Sequence, residues 1–275
     1  MPLYFKRVAH LPAMDVVAHR IIWSFALLAI VVLATRRGAA TLKAWRSPTI
    51  MAYLLASTVF IAINWFTYIY AVSTSQVVQA SLGYFITPLA NVLLGVVVLK
   101  ERLRRWQVVA LALAAGAVVY LGIVVGQPPW IALSLAGSFS CYGLMRKLVP
   151  VEGLLGLFVE TTLLAPLSVA YLAWQSHSNP AAVPYDMPTL ALLALGGPVT
   201  TVPLLLFAAA ARRLSMTTLG FFQYLAPSIQ FLLAVFLFRE PVTSAQIASF
   251  VGIWAAVALY TADSLWVRKV ERRSS

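Results

Sequence analysis

Residues 88–101 read PLANVLLGVVVLKE, and residues 227–240 read PSIQFLLAVFLFRE. Each copy opens on proline, carries an amide (Asn91, Gln230) early in its run, and closes on a base followed by glutamate (Glu101, Glu240). The copies lie 139 residues apart. At that spacing Phe85 falls on Tyr224, Gln107 on Gln246 and, one apolar run earlier, Ala71 on Ala210. SLGYF (81–85) matches TLGFF (218–222) at a spacing of 137. A match that continues through neighbouring runs at so long a period points to duplication of a multi-helix unit, not to a short solenoid repeat.

The runs themselves define the class. Of 275 residues, 61% are apolar and 10% charged, where a soluble domain carries roughly a quarter charged. Uninterrupted apolar runs of about 18 or more residues read as membrane-spanning helices. Such helices satisfy their own backbone hydrogen bonds, which lipid cannot do. The sequence predicts about nine spans, at roughly 16–35, 49–72, 77–99, 106–125, 129–148, 151–174, 187–211, 216–238 and 244–265. The connectors are short, the longest being QSHSNPAAVPYDM (175–187). An all-α polytopic membrane protein with no soluble domain is expected, its partners the lipid bilayer and a small-molecule substrate.

The net charge of +12 does not point to nucleic acid, because the bases sit between apolar runs and not on one face or in one tail. A single Cys141 excludes an intramolecular disulfide, and His10, His19 and His177 lack metal-ligand spacing. HExxH, GxSxG, Walker A and GxGxxG motifs are absent. No catalytic residues, metal or cofactor are expected.

Sixteen of the twenty bases fall after spans one, three, five and seven or in the C-terminal tail, from Arg36 and Arg37 to Arg272 and Arg273. Lys6, Arg7 and Arg239 lie on the other side, and Arg20 lies within a span. The positive-inside rule then places the base-rich side, with the C-terminus, in the cytoplasm. Trp45, Trp106 and Trp266 would mark the inner interface, and Trp130 and Trp174 the outer one. Under this topology the two phrases run in opposite directions, so the repeat is inverted. The expected halves are residues 1–125 and 126–275. The second holds five spans and the first four, with MPLYFKRVAHLP as the tail of a largely missing first helix: Tyr4 falls on Tyr142 and Pro12 on Pro150. The plain alternative is a natural nine-span protein.

HRIIWS (19–24), INWFTYIYAV (63–72), SLGYFITPLANVLLG (81–95), FSCYGLMRK (139–147), TTVPLLLFAAAARRL (200–214) and TLGFFQYLAP (218–227) resemble the EamA-type permeases of the drug/metabolite transporter superfamily, and among them the RarD-type chloramphenicol-sensitivity subgroup. The resemblance covers nearly the whole chain and departs from the family at the missing first helix. It implies two inverted five-helix halves in the inner membrane, and secondary export of a small metabolite, amino acid or drug. A membrane-embedded enzyme and a channel-like or structural subunit are the competing classes. The first would need a clustered acid/base or metal set near one interface, the second a ring of like charges or filter carbonyls.

Inverted repeats place substrate sites near the midplane, and charges within spans cost enough to need a reason. Arg20 and Glu160 stand at related positions, 140 residues apart, with Glu160 near mid-depth of its span. They read as a cation and an anion for a zwitterion or for proton coupling, or else as a structural ion pair. His19 is a second proton-coupling candidate. Asn64, Asn91, Gln223 and Gln230 serve substrate contact or interhelical hydrogen bonding. Trp65, Tyr84 and Tyr224, with Phe85 and Phe222, offer an aromatic lining. Pro88 and Pro227 read as hinges, and Glu101 and Glu240 as interfacial anchors. The LGG run at 195–197 and GSFSCYG at 137–143 are expected to let helices approach closely.

Overall fold

The computed structural model describes residues 4, 7, 8, 10–74, 76–126, 129–178, 185–237 and 243–274. Regular structure in them is helical: α1 (Ala13–Ala34), α2 (Gly38–Arg46), α3 (Pro48–Ser73), α4 (Val77–Val97), α5 (Arg105–Val125), α6 (Trp130–Leu148), α7 (Gly153–Ser178), α8 (Met187–Arg213), α9 (Met216–Gln223), α10 (Leu225–Leu232) with a π-helical end (Leu233–Leu237), and α11 (Ser244–Ser274). Seven of these, α1, α3, α4, α5, α7, α8 and α11, are long and apolar enough to cross a membrane. The protein is a polytopic membrane protein. Trp45, Trp106, Trp130, Trp174 and Trp266 are all exposed.

Two of the nine expected spans differ. Residues 129–148 do form a helix, α6, but its serines and glycines and its closing Arg146 and Lys147 leave it less apolar than the seven. Residues 216–238 are not one helix. They divide at Tyr224 into α9 and α10 and then pass into π-helix. Pro227 explains the break. It has no N–H to give the Gln223 carbonyl four residues back, so the ladder loses a rung at the junction. Pro88, the matching proline, sits inside an unbroken α4. Glu240 and Arg239 lie outside the described residues.

The helices gather into two compact units, residues 1–73 with 141–213, and residues 74–140 with 214–275. The divisions after Ser73 and after Arg213 are 140 residues apart. In the first unit α1 packs along both α7 and α8, with α3 on α7. Val32, Leu54, Val149, Leu155 and Val159 form one apolar core, and Tyr4, Val8, Val16 and Leu193 another. Phe25 stacks on Phe158 with ring centroids 5.8 Å apart. The α1–α8 crossing needs the LGG run, since a Cβ on Gly197 would lie 2.8 Å from the backbone of Trp23. Gly137, by contrast, faces open space, so the close approach expected of GSFSCYG does not occur there.

In the second unit α5 pairs with α11 and α4 with α9. Its core is aromatic: Phe221 stacks on Tyr260 at 4.0 Å, and Phe85 meets Phe250 edge-on at 5.1 Å. The end of the first phrase is fixed here. Lys100 takes a left-handed backbone conformation (φ 56°), one that costs a side-chain-bearing residue strain. The turn delivers the Glu101 carboxylate to the start of α9. There it accepts from the Met216 N–H at 2.6 Å, the Thr217 N–H at 2.9 Å and the Thr217 hydroxyl at 2.7 Å. A carboxylate on the free N–H groups of a helix start is favoured by both hydrogen bonding and the helix dipole.

Candidate functional site

Polar side chains withdrawn into the first unit form three layers. The first is Arg20. Its Nε donates to Thr200 Oγ1 of α8 at 2.8 Å, and its guanidinium lies 5.5 Å over the Trp65 ring of α3. Arg20, Asn64 and Trp65 are half-buried. A guanidinium bonded to a hydroxyl and laid over a ring is oriented, and its planar donors match a planar anion such as a carboxylate.

The second layer surrounds Glu160. The sequence aligns this carboxylate with Arg20. It sits in the first third of α7 and its ion-pair partner is Arg146, whose Nη1 lies 3.4 Å from Oε1. Both side chains are almost wholly buried, at 0% and 2% exposure. Ser57 of α3 donates to Oε1 at 2.5 Å and the Tyr142 hydroxyl to Oε2 at 3.4 Å. Arg146 Nη2 donates to the Gly153 carbonyl at 3.0 Å, while Nε has no partner among the described residues. Gly156 makes the room, since a Cβ there would overlap the guanidinium. In the sequence Arg146 falls among the loop bases. It shares one face of α6 with Tyr142, four residues earlier, as Gly156 and Glu160 share one face of α7, and the meeting of those two faces buries it.

The third layer was missed altogether. Asp15, in the first turn of α1, is 1% exposed. Its Oδ1 accepts from the Tyr171 hydroxyl of α7 at 2.7 Å, and its Oδ2 from the Tyr185 hydroxyl just before α8. His19, one turn on, is half-buried and meets the Tyr185 ring edge-on at 6.1 Å. An aspartate at a helix start reads as an ordinary end charge, so its burial has no local signal.

The second unit holds amides and phenols. Asn91 Nδ2 donates to Gln223 Oε1, joining α4 to the last residue of α9. Asn91 Oδ1 and the Tyr224 hydroxyl are buried with no partner among the described residues. Phe85 and Tyr224 are buried, whereas Tyr84 and Phe222 are exposed, so the expected aromatic lining divides between core and surface. Pro88 and Pro227 are buried. The side chain of Gln230 lies outside the described residues.

Residues 1–123 match the EamA-like transporter family. An uncharacterized transporter of Vibrio cholerae is 40% identical over 274 residues, covering 99% of this chain and 91% of that protein. Protein RarD of Escherichia coli is 39% identical over 269 residues, covering 98% and 91%. A crystal structure of a protein at 22% identity superposes with a TM-score of 0.71 over 98% of this chain and 93% of its own, a likeness of fold. With near-full-length relatives at this identity, the chain belongs to the EamA-like transporter family.

Proposed function

We propose that this protein is a secondary transporter of the inner membrane that exports a small metabolite, amino acid or drug bearing a carboxylate, with its C-terminus in the cytoplasm. The observation that carries the substrate class is Arg20, a guanidinium kept half-buried in an apolar helix and aimed by Thr200 and Trp65. A cation in a span is costly, and an arginine with planar donors matches a carboxylate. Asn64 lies one residue before Trp65 and would add a neutral contact. Asn91, Gln223, Tyr224, Tyr84 and Gln230 form a second, uncharged set, with Pro88 and Pro227 as hinges. The halves 1–125 and 126–275 are read as an inverted duplication. The 140-residue spacing of the two divisions between compact units supports this, being close to the 139-residue spacing of the repeated phrase.

Transport is tested in proteoliposomes with a panel of radiolabelled amino acids. Arg20→Gln and Arg20→Lys should each lower uptake about tenfold or more, the lysine failing because a point charge lacks the planar fork. Undiminished uptake by Arg20→Gln would remove the proposed site. Orientation is tested separately in a Cys141→Ser background. A cysteine at exposed Ser176 should be labelled from outside and one at exposed Ala40 only from inside. The reverse pattern would overturn the topology.

A further inference from the structure

Buried carboxylates differ in what a proton would do to them. Glu160 faces Arg146, which does not deprotonate, so neutralising Glu160 would strand a buried cation. Asp263 is bonded to Arg104 at 2.7 Å. Glu101 is occupied by the start of α9. Asp15 is different, because no lysine or arginine among the described residues pairs with it. Its neighbours are the hydroxyls of Tyr171 and Tyr185, and a proton there removes a buried charge and strands none.

The groups around Asp15 can be named element by element. α7 presents Tyr171, and the segment leading into α8 presents Tyr185. α1 itself contributes His19 one turn away, then Arg20, which is taken up by Thr200 and Trp65. α3 contains no acidic or basic residue, and its Tyr68 lies near Arg20. Ahead of α1, Arg7 and His10 are exposed and Tyr4 is buried. Partial burial and the Asp15 carboxylate hold the Tyr185 phenol well above its ordinary range, so it remains a donor. An acid that served only the helix dipole would need neither burial nor two phenol donors.

We infer that Asp15 is the proton-binding group of this transporter, the role the sequence had suggested for Glu160 or His19, an inference that rests on the transporter reading above. In the step, a proton from water at the end of α1 assigned to the outside forms an O–H bond on one carboxylate oxygen. The phenol that had donated to that oxygen gives up the bond. On the cytoplasm-facing side of the cycle the same proton leaves to water and both hydrogen bonds re-form. One proton crosses per cycle, with no other bond broken and no redox partner. Since the two phenols tie α1 to α7 and to the start of α8, protonation loosens those ties and links proton binding to helix movement.

The test reads the proton directly, in full-length protein in liposomes, by infrared difference spectroscopy between about pH 8 and about pH 5, a span that also takes in an imidazole such as that of His19. A protonated-carboxyl band should appear in the wild type and shift when aspartate is isotopically labelled. It should vanish in Asp15→Asn, return in Asp15→Glu without the aspartate isotope shift, and persist in Glu160→Gln. In the transport assay, Asp15→Asn should lose accumulation driven by a pH gradient. A band that ignores aspartate labelling, survives Asp15→Asn or disappears only in Glu160→Gln would overturn the assignment. So would full gradient-driven accumulation by Asp15→Asn. The isotope test in the wild type decides the matter even where the asparagine variant fails to fold. If no solute moves at all, the transporter reading falls, while the band still reports whether Asp15 takes the proton.

Discussion

The polar groups withdrawn into residues 1–73 and 141–213 are ions: Asp15, Arg20, and Arg146 with Glu160. Those withdrawn into residues 74–140 and 214–275 are mainly neutral: the Asn91–Gln223 amide pair and Tyr224, set in a core of stacked rings. The difference lies in which side chains each unit withdraws. A unit that buries ions responds to a change of charge, whether a proton or an ionised substrate. A unit that buries amides and rings supplies shape and hydrogen bonds, its acids Glu101 and Asp263 being already engaged by a helix start and by Arg104. Mutating equivalent features in the two units should therefore produce losses of different size and kind.

The largest loss belongs to Glu160→Ala. It leaves the Arg146 charge buried without its counter-ion, at a cost of about 3–5 kcal/mol. Thermal unfolding of the detergent-purified protein should show it as a large drop in midpoint. Replacing both partners, as Glu160→Leu with Arg146→Met, should recover most of the drop, because a filled apolar pair strands no charge. Equal losses in the single and double variants would mean that packing, not charge, holds the site.

Asn91→Ala is the counterpart in the second unit and should cost less, about 1–3 kcal/mol, the penalty for leaving the half-buried Gln223 acceptor unmet. The pair is already incompletely satisfied at Asn91 Oδ1, which places the expected loss toward the lower end. Asn91→Leu with Gln223→Leu should be close to neutral in stability. If the amides contact substrate, that double variant should nonetheless lose transport. A double variant that is stable and fully active would reduce the pair to a helix–helix bond.

These contrasts bear on what a sequence can disclose. Long apolar runs and a repeated phrase were enough for the membrane class and for most helix positions, because burial in lipid is written in composition. The closing glutamate of the first phrase reads as an interfacial anchor; in the structure it caps the start of α9, and the N–H groups it takes, those of Met216 and Thr217, lie 115 and 116 residues away in the chain and carry no local signal. Glu160 was legible as a costly intramembrane acid, and its partner was not. Arg146 lies among loop bases in the sequence, and only the turn from α6 into α7 brings the two together. Asp15 was hidden by a plausible local role. Side-chain partners depend on which helices meet, and helix periodicity does not specify that.

Pro88 and Pro227 compare the two copies of the phrase directly, with smaller effects expected. Pro227→Ala restores a donor for the Gln223 carbonyl and should join α9 to α10, seen as slower amide hydrogen exchange across residues 223–229. Pro88→Ala, within a helix that is already continuous, should change exchange across residues 84–90 much less. Equal slowing at both sites would show that the break at Tyr224 has a cause other than the proline.

The smallest effect concerns Asp186, a fully exposed acid of the first unit that caps α8. Its carboxylate accepts from the Thr189 N–H at 3.2 Å. Hydrogen bonds from Thr189, side chain and backbone, hold its pKa below the ordinary aspartate value of 3.8. A carboxyl with a depressed folded-state pKa binds its proton more tightly when unfolded. Its contribution is therefore present above about pH 4 and is lost as pH falls through the folded value. Asp186→Asn keeps an oxygen that can cap the helix and removes the charge, so it should flatten only the acid limb of a plot of unfolding midpoint against pH and leave neutral pH nearly unchanged. Glu160→Ala should lower the whole plot, at neutral pH as much as in acid. If Asp186→Asn also lowered the neutral region, the cap would depend on the charge itself, and the line between a surface acid and a buried one in this unit would be less sharp than their exposures imply.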